Sequence, residues 1–266
     1  MSKVVLITGG SSGIGKSIGE YLLTKEFRVY GTSRNPNRYP DSQFPLVALD
    51  VTKTETISTC IAEVLDKEHR IDILVNNAGA GITGPMEEIP DEEIKRNFET
   101  NLFGPINVIK AVLPTMRKQN SGLVINITSI AGYMGLPYRG VYSASKGALE
   151  LVTEAFRMEL KSFNVHMCNL APGDFATNIA AGRYHAPAKA DSPYTKYADV
   201  LKDIDADVDN SSSPILVAKA VLNIIETKNP KIHYKVGAFM QKFSIVIKRI
   251  LPDKVYEKLL MNHYKL

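Results

Sequence analysis

The chain has 266 residues, 44% hydrophobic and 23% charged, with a formal net charge of +4. That balance excludes a disordered chain and a disulfide-stapled miniprotein, and the length suits one α/β domain with a large core. No apolar run reaches the roughly 18 residues that a membrane span needs. No leader pattern precedes the first strand, which predicts a cytoplasmic protein. Cys60 and Cys168 lie far apart without CxxC spacing, and Cys168 sits in an apolar run, so both read as buried free thiols. The five histidines show no ligand spacing, and no metal is expected.

In chain order, residues 3–8 (KVVLIT) form a short apolar run suited to a buried strand. Gly9, Gly10, Ser11, Ser12, Gly13, Ile14 and Gly15 follow, then a helical pattern over 16–25. Strand, glycine-rich turn, helix is the arrangement in which backbone N–H groups and a helix N-terminus hold a pyrophosphate. A glycine loop alone is also plain turn chemistry; its place between the first strand and the first helix favours nucleotide binding. The second strand, over 28–33, ends without an acid, and Arg34 follows Ser33. An acid there would bind a free ribose 2′-hydroxyl, whereas an arginine suits a 2′-phosphate, so NADP(H) is expected in preference to NAD(H). Arg38 is a second basic residue in the proline-containing loop that follows. A third strand over 44–49 ends at Asp50 and Val51, where the acid is suited to the adenine amino group. After a helix over 54–69 and a fourth strand over 71–75 come Asn76, Asn77, Ala78 and Gly79, whose amides are suited to tying neighbouring loops together.

Residues 91–117 are helical in pattern with Gly104-Pro105 inside, which predicts a kink there, just after Asn101. The fifth strand, over 123–128, puts Ser129 at its carboxyl end, where open α/β sheets bind ligands. Tyr142 and Lys146 stand four apart in a helical pattern that runs on through Leu160, which places them on one face. A free tyrosine titrates at about 10, too high for acid/base work at neutral pH, and a fixed cation nearby favours its phenolate. Taken alone, a Tyr-x-x-x-Lys is common, and an exposed Tyr and Lys on a helix face is the better reading; the rest of the chain changes the balance. The sixth strand, over 165–170, leads to Pro172, Gly173 and Thr177.

Residues 180–209 are polar without a strong period and read as a substrate lid at about 178–212. A helix over 214–227 and a strand over 232–236 complete the expected fold. It is a single doubly wound Rossmann-type α/β domain over 1–237, with a seven-stranded parallel sheet and helices on both faces. Residues 238–266 then form a C-terminal amphipathic helical extension. Phe239, Phe243, Val246, Ile247, Ile250 and Leu251 give one apolar face beside Lys242, Lys248 and Arg249. Pro252 breaks the pattern, and Val255, Leu259 and Leu260 start a second piece. From Lys231 onward eight Lys/Arg stand against two acids. The extension fits weak membrane-surface contact, packing over the cleft, or packing against another subunit. The basic excess reads as a solvated face, and no nucleic acid partner is expected.

The motifs Thr8-Gly9-Gly10-Ser11-Ser12-Gly13-Ile14-Gly15, Asn76-Asn77-Ala78-Gly79, Asn101, Ser129, Tyr142-Ser143-Ala144-Ser145-Lys146 and Pro172-Gly173 with Thr177 resemble, in order and spacing, those of the short-chain dehydrogenase/reductase family. The likeness runs to residue 237 and leans toward the steroid- and retinol-dehydrogenase-like branch, with Phe175 where many members carry a small aliphatic residue. The resemblance implies a catalytic set of Asn101, Ser129, Tyr142 and Lys146. Tyr142 exchanges the proton, Lys146 supports it and binds the nicotinamide ribose, Ser129 holds the reacting oxygen, and Asn101 supports a water leading from Lys146 to solvent. It further implies cofactor contacts by Gly9, Ser11, Ser12, Gly13, Ile14, Gly15, Arg34, Asp50, Val51, Asn77, Ala78, Gly79, Tyr142, Lys146, Pro172, Gly173 and Thr177, and a homodimer or homotetramer. The expected function is an NADP(H)-dependent oxidoreductase of a secondary alcohol or ketone, lipophilic in the manner of a steroid, retinoid or long-chain keto compound. A 3-ketoacyl or other small-carbonyl reductase is the alternative. A catalytically silent NADP(H)-binding sensor or scaffold is a third, against which the presence of both Tyr142 and Lys146 speaks.

Overall fold

A computed structural model describes residues 2–175, 182–209 and 212–266, and all of their side chains except those of 205–209. Its strands are short, and aliphatic at the centre of the sheet: β1 (Val4–Ile7), β2 (Arg28–Ser33), β3 (Leu46–Ala48), β4 (Ile73–Asn76), β5 (Ile82–Thr83), β6 (Gly122–Ile127), β7 (Val165–Pro172), β8 (Tyr184–His185) and β9 (His233–Val236). Seven of them form one parallel sheet in the order β3-β2-β1-β4-β6-β7-β9, as expected, and β5 pairs with β8 in a separate small sheet. The chain runs outward from β1 through β2 to β3, then returns and runs outward the other way from β4. This leaves a crevice at the carboxyl ends of β1 and β4, where doubly wound sheets hold ligands.

Side chains alternate across the strands, so each face of the sheet needs its own helical cover. Val4 and Leu6 meet α2 (Thr54–Glu68), α4 (Gly104–Gln119) and the end of α5 (Gly140–Glu159) through Ile57, Val64, Val108, Val112 and Phe156. Val5 and Ile7 meet α1 (Gly13–Leu23) and α7 (Ile215–Glu226) through Ile18, Leu22, Val217, Val221 and Ile224. Full burial of each such aliphatic side chain contributes roughly 1.5–3 kcal/mol. Cys60 and Cys168 are free and buried, and burial pushes both thiols up to about 12.

Three expectations change. The third strand is only Leu46–Ala48: Phe44 leaves the sheet and lays its ring over Gly19 and Gly31, and the Pro45 carbonyl accepts the Gly31 N–H at 2.9 Å. The kink near Gly104-Pro105 is a π turn, Glu99–Phe103, between α3 (Asp91–Phe98) and α4, and it carries Asn101. The stretch expected to form a lid is, over its described residues 182–209, not an unpatterned loop. It contains β8 and α6 (Tyr197–Asp209), and α6 buries Tyr197, Val200 and Ile204. Those three keep helical spacing, but the surrounding aspartates lower the helix propensity and mask the period. Ala186 and Tyr197 pack with Ile82, Ile89 and Val141, and the Tyr197 hydroxyl donates to the Ala186 carbonyl at 3.0 Å.

Beyond β9 the expected helix pair is present as α8 (Phe239–Ile250) and α9 (Asp253–His263), separated at Pro252. It packs beside the cleft: Ile245 meets Ile130, Met134 and Ala171, and the Tyr256 hydroxyl lies 2.9 Å from the Met134 sulfur.

Candidate active site

At the end of β1 the Thr8 hydroxyl accepts the N–H groups of Asn77 at 2.9 Å and Ala78 at 3.0 Å. The Asn77 amide returns bonds to the Thr8 and Gly9 carbonyls at 3.0 and 3.1 Å. These ties lock the turn after β1 to the turn after β4. Gly9 adopts a φ of +65°, and a Cβ at Gly15 would lie 2.3 Å from the Gly9 carbonyl oxygen, so the turn closes only with glycine at both positions. The α1 N-cap Ser12 makes no side-chain cap and the first turn holds no acid, which leaves its N–H groups for an anion. The result is a cleft of about 720 Å³ lined by Gly9, Ser11, Ser12, Gly13, Ile14, Arg34, Asp50, Val51, Asn77, Ala78 and Gly79, with Arg38 and Ser33 at its far end. Gly15 lies behind the turn. One oxygen of Asp50 already accepts the Thr52 N–H at 3.0 Å and its hydroxyl at 2.8 Å. A glycine cradle, uncapped helix N–H groups and two arginines suit a phosphorylated dinucleotide.

The second half of the site comes from β6 and α5. Ser129 is the N-cap of a short helical turn, Ile130–Tyr133, and its Oγ accepts the Ala131 N–H at 3.2 Å. α5 packs against this turn closely because a Cβ at Gly147 would meet the Gly132 carbonyl oxygen at 2.8 Å. That approach brings Tyr142 and Lys146 to Ser129, and all three line one pocket with Ile14, Asn77, Gly79, Pro172, Gly173 and Phe175. The pocket shares Ile14, Asn77 and Gly79 with the cleft. Lys146 is only 5% exposed, and its Nζ donates to the Ile127 carbonyl at 2.9 Å. Desolvation lowers its pKa below the usual lysine range, opposed by Tyr142 and Glu150. Asn101 is fully buried behind the pocket: Oδ1 accepts the Ala80 N–H at 2.8 Å, and Nδ2 donates to the Ala80 carbonyl at 2.8 Å and to Ser145 Oγ at 3.1 Å. A Cβ at Gly79 would stand 3.1 Å from Asn101 Oδ1 and 3.3 Å from Lys146 Nζ, so this glycine separates the two. Thr177 lies outside the described residues.

Sequence reasoning missed several residues. Thr8 opens the glycine-rich motif, and its place at a strand end is the sequence signal that marks it as a tie. Arg139, one residue before α5, sets its guanidinium 5.7 Å from the Tyr142 ring centroid, and Arg183 also lines the pocket. Asp174 lines it too and accepts from Gln241 of α8 at 2.6 Å, a pairing across 67 residues that no local pattern reveals. One turn beyond Lys146, buried Glu150 accepts from Thr128, from Tyr133 at 2.7 Å and from Asn169 at 3.0 Å, and it pairs with His233 at 2.7 Å. Burial, with Glu150 next, raises the Tyr133 pKa well above the usual tyrosine value.

A family model for the short chain dehydrogenases matches residues 3–187. The chain is 37% identical over 266 residues to 3-ketodihydrosphingosine reductase of Bacteroides thetaiotaomicron, covering 98% of each protein. It is 29% identical to the NADPH-dependent 3-dehydrocapnine reductase of Ornithobacterium rhinotracheale, covering 99% of this chain and 98% of that one. The crystal structure of a short-chain dehydrogenase from Streptomyces avermitilis matches with a TM-score of 0.82 at 30% identity, covering 100% of this chain and 96% of that one. With the glycine cradle, the seven-stranded sheet and the pocket beside it, these matches mean that the chain belongs to the short-chain dehydrogenase/reductase family and is an oxidoreductase.

Proposed function

We propose that the protein is an NADP(H)-dependent oxidoreductase of a secondary alcohol or ketone, and that its substrate is a lipophilic, long-chain keto compound. The observation that carries this reading is the convergence of Ser129, Tyr142 and Lys146 on one pocket opening into the glycine-lined cleft. The nicotinamide, when bound, supplies or accepts the hydride. Tyr142 gives its phenolic proton to the carbonyl oxygen in reduction and takes the proton from the alcohol in oxidation. The Ser129 hydroxyl holds that oxygen in line. Lys146, one helical turn from Tyr142, stabilises negative charge on the phenolic oxygen and would hold the ribose hydroxyls of a bound cofactor. Asn101 holds the backbone at Ala80 and supports the water that links Lys146 to solvent.

Arg34 and Arg38 beside Ser33, with no acid at the end of β2, support a 2′-phosphate and hence NADP(H). The apolar lining by Ile14, Ile82, Ile127, Pro172 and Phe175 supports a lipophilic substrate, as does the relative named 3-ketodihydrosphingosine reductase. Exposed Leu151 and Met158 on α5 support a homodimer or homotetramer.

The test is absorbance of the reduced cofactor with NADPH and NADH against steroid, retinoid, long-chain keto and 3-ketoacyl substrates. NADPH oxidation by a long-chain ketone, reduced roughly a thousandfold in Tyr142→Phe with NADPH binding retained, is the expected result. Full activity in Tyr142→Phe removes the tyrosine from the mechanism. Turnover of 3-ketoacyl or small carbonyls alone overturns the lipophilic class.

A further inference from the structure

The two C-terminal helices use only one face to meet the rest of the protein. Ile245 is the one buried residue of α8, and α9 buries none. Toward solvent, α8 presents Phe239, Phe243, Val246 and Ile250, spaced four, three and four apart, which is one continuous helical stripe. Phe239 is 72% and Ile250 74% exposed, and the Phe239 and Phe243 rings stack on each other at 5.6 Å. α9 adds exposed Val255, Leu259 and Met261. Interleaved with these in sequence are Lys242, Arg249, Lys254 and Lys258, against Asp253 and Glu257, while Lys248 turns its Nζ to the Tyr133 carbonyl at 2.8 Å. An apolar face of this extent, flanked by cations, is a binding surface rather than scattered surface residues.

We propose that α8 and α9 form a docking face for the surface of an anionic lipid bilayer. Charge selects this occupant. A second copy of the chain, meeting this face about a two-fold axis, would set the same lysines and Arg249 against their own duplicates. An anionic headgroup layer neutralises them while the aromatic stripe enters the acyl boundary. The contact is peripheral, since no helix among the described residues is long and apolar enough to cross a membrane. Position gives the contact a purpose. Gln241, in the first turn of α8, is bonded to Asp174 in the pocket wall, so the helix that carries exposed Phe239 and Met240 is tied directly to that wall. Docking there sets the pocket against the phase in which a lipophilic ketone dissolves. The docking itself does not depend on turnover, so a failed activity assay and a failed binding assay are separate outcomes.

The experiment is co-sedimentation of the full chain with phosphatidylcholine vesicles, with and without phosphatidylglycerol, at low and high salt. Binding to the anionic vesicles, weakened at least roughly tenfold by high salt and by omitting phosphatidylglycerol, is the expected result. Phe239→Ser/Ile250→Ser changes two side chains that are largely exposed, so it folds as the parent does by circular dichroism. It loses binding by roughly tenfold or more. Lys254→Glu/Lys258→Glu loses binding only to the anionic vesicles. Absence of the parent protein from anionic vesicle pellets overturns the proposal. So does unchanged vesicle binding in Phe239→Ser/Ile250→Ser. If that variant instead turns a larger assembly into a smaller one by light scattering while vesicle binding stays the same, the face belongs to a second copy.

Discussion

The dinucleotide end of the cleft and the substrate end are held by different means. At the first, backbone and small side chains do the shaping: Gly9, Gly13 and Gly15 form the turn, and Thr8 and Asn77 bolt it to the neighbouring strand end over bonds of 2.9–3.1 Å. At the second, the walls are side chains delivered by elements distant in sequence: Arg139 from the start of α5, Asp174 and Phe175 after β7, and Arg183 before β8, with Gln241 of α8 bonded to Asp174 from behind. A phosphate-binding turn has few solutions in backbone geometry, whereas a wall built of side chains changes with any of its elements. The first end is therefore expected to be sensitive to single atoms and the second to tolerate change with graded effect.

The largest effect is expected where the two ends meet, at Lys146. Lys146→Met should lower kcat by roughly a hundred- to a thousandfold, as for loss of a group that supports proton transfer. Its stability should move the other way. The folded-state pKa of Lys146 lies below that of a free lysine because the ammonium is desolvated. Below the folded pKa the group is charged in both states and the burial penalty is present in full. As pH rises from the folded toward the unfolded pKa, the unfolded chain holds more protons and the penalty is relieved. Lys146→Met should therefore melt above the parent at neutral pH, and the gap should close as pH rises toward the unfolded pKa of lysine. Parallel thermal melts across pH check this; a variant less stable at neutral pH would mean that the bond to the Ile127 carbonyl outweighs desolvation.

Arg34→Ser acts at the dinucleotide end alone. Loss of a charge-assisted contact to a phosphate should weaken NADPH binding by roughly ten- to a hundredfold while NADH binding changes little. Fluorescence titration with both cofactors separates the outcomes, and equal weakening of both would place Arg34 on the shared pyrophosphate. Thr8→Val, nearly isosteric, leaves the N–H groups of Asn77 and Ala78 without their shared acceptor at a residue 1% exposed. It should cost about 1–3 kcal/mol in denaturant melts, with a matching loss of cofactor affinity if the turn moves as a unit.

The same contrast explains what was legible in the sequence. The sheet, the glycine turn and the cluster of Ser129, Tyr142 and Lys146 on one pocket were readable because each rests on local spacing: period two, period 3.6, or a strand end. Asn101 was readable as the residue before a break, though only the structure shows that the break is a π turn aiming its amide at Ala80. The helix α6 was not readable, because five aspartates hide three buried apolar residues. Glu150 was not readable either. A glutamate in a helical run looks solvated, and its partners Thr128, Tyr133, Asn169 and His233 come from four separate places along the chain.

The smallest effect, and the one that isolates the substrate end, is expected at Gln241. Its amide donates to Asp174 Oδ2 at 2.6 Å, and its carbonyl oxygen lies 3.4 Å from the Asp174 N–H. Both bonds join α8 to the segment that follows β7 and walls the pocket. Gln241→Met keeps the side-chain length and the helix but removes both bonds, freeing Asp174 to move within the wall. Neither partner is fully buried, so solvent replaces part of what is lost, and the expected effect is a rise in substrate KM of roughly threefold to tenfold. Cofactor affinity should hold, because no atom of Gln241 borders the glycine-lined cleft. Steady-state kinetics with saturating NADPH, beside a cofactor titration, measures both. If the two constants rise together, the tail supports the whole cleft, and the separation between its two ends fails.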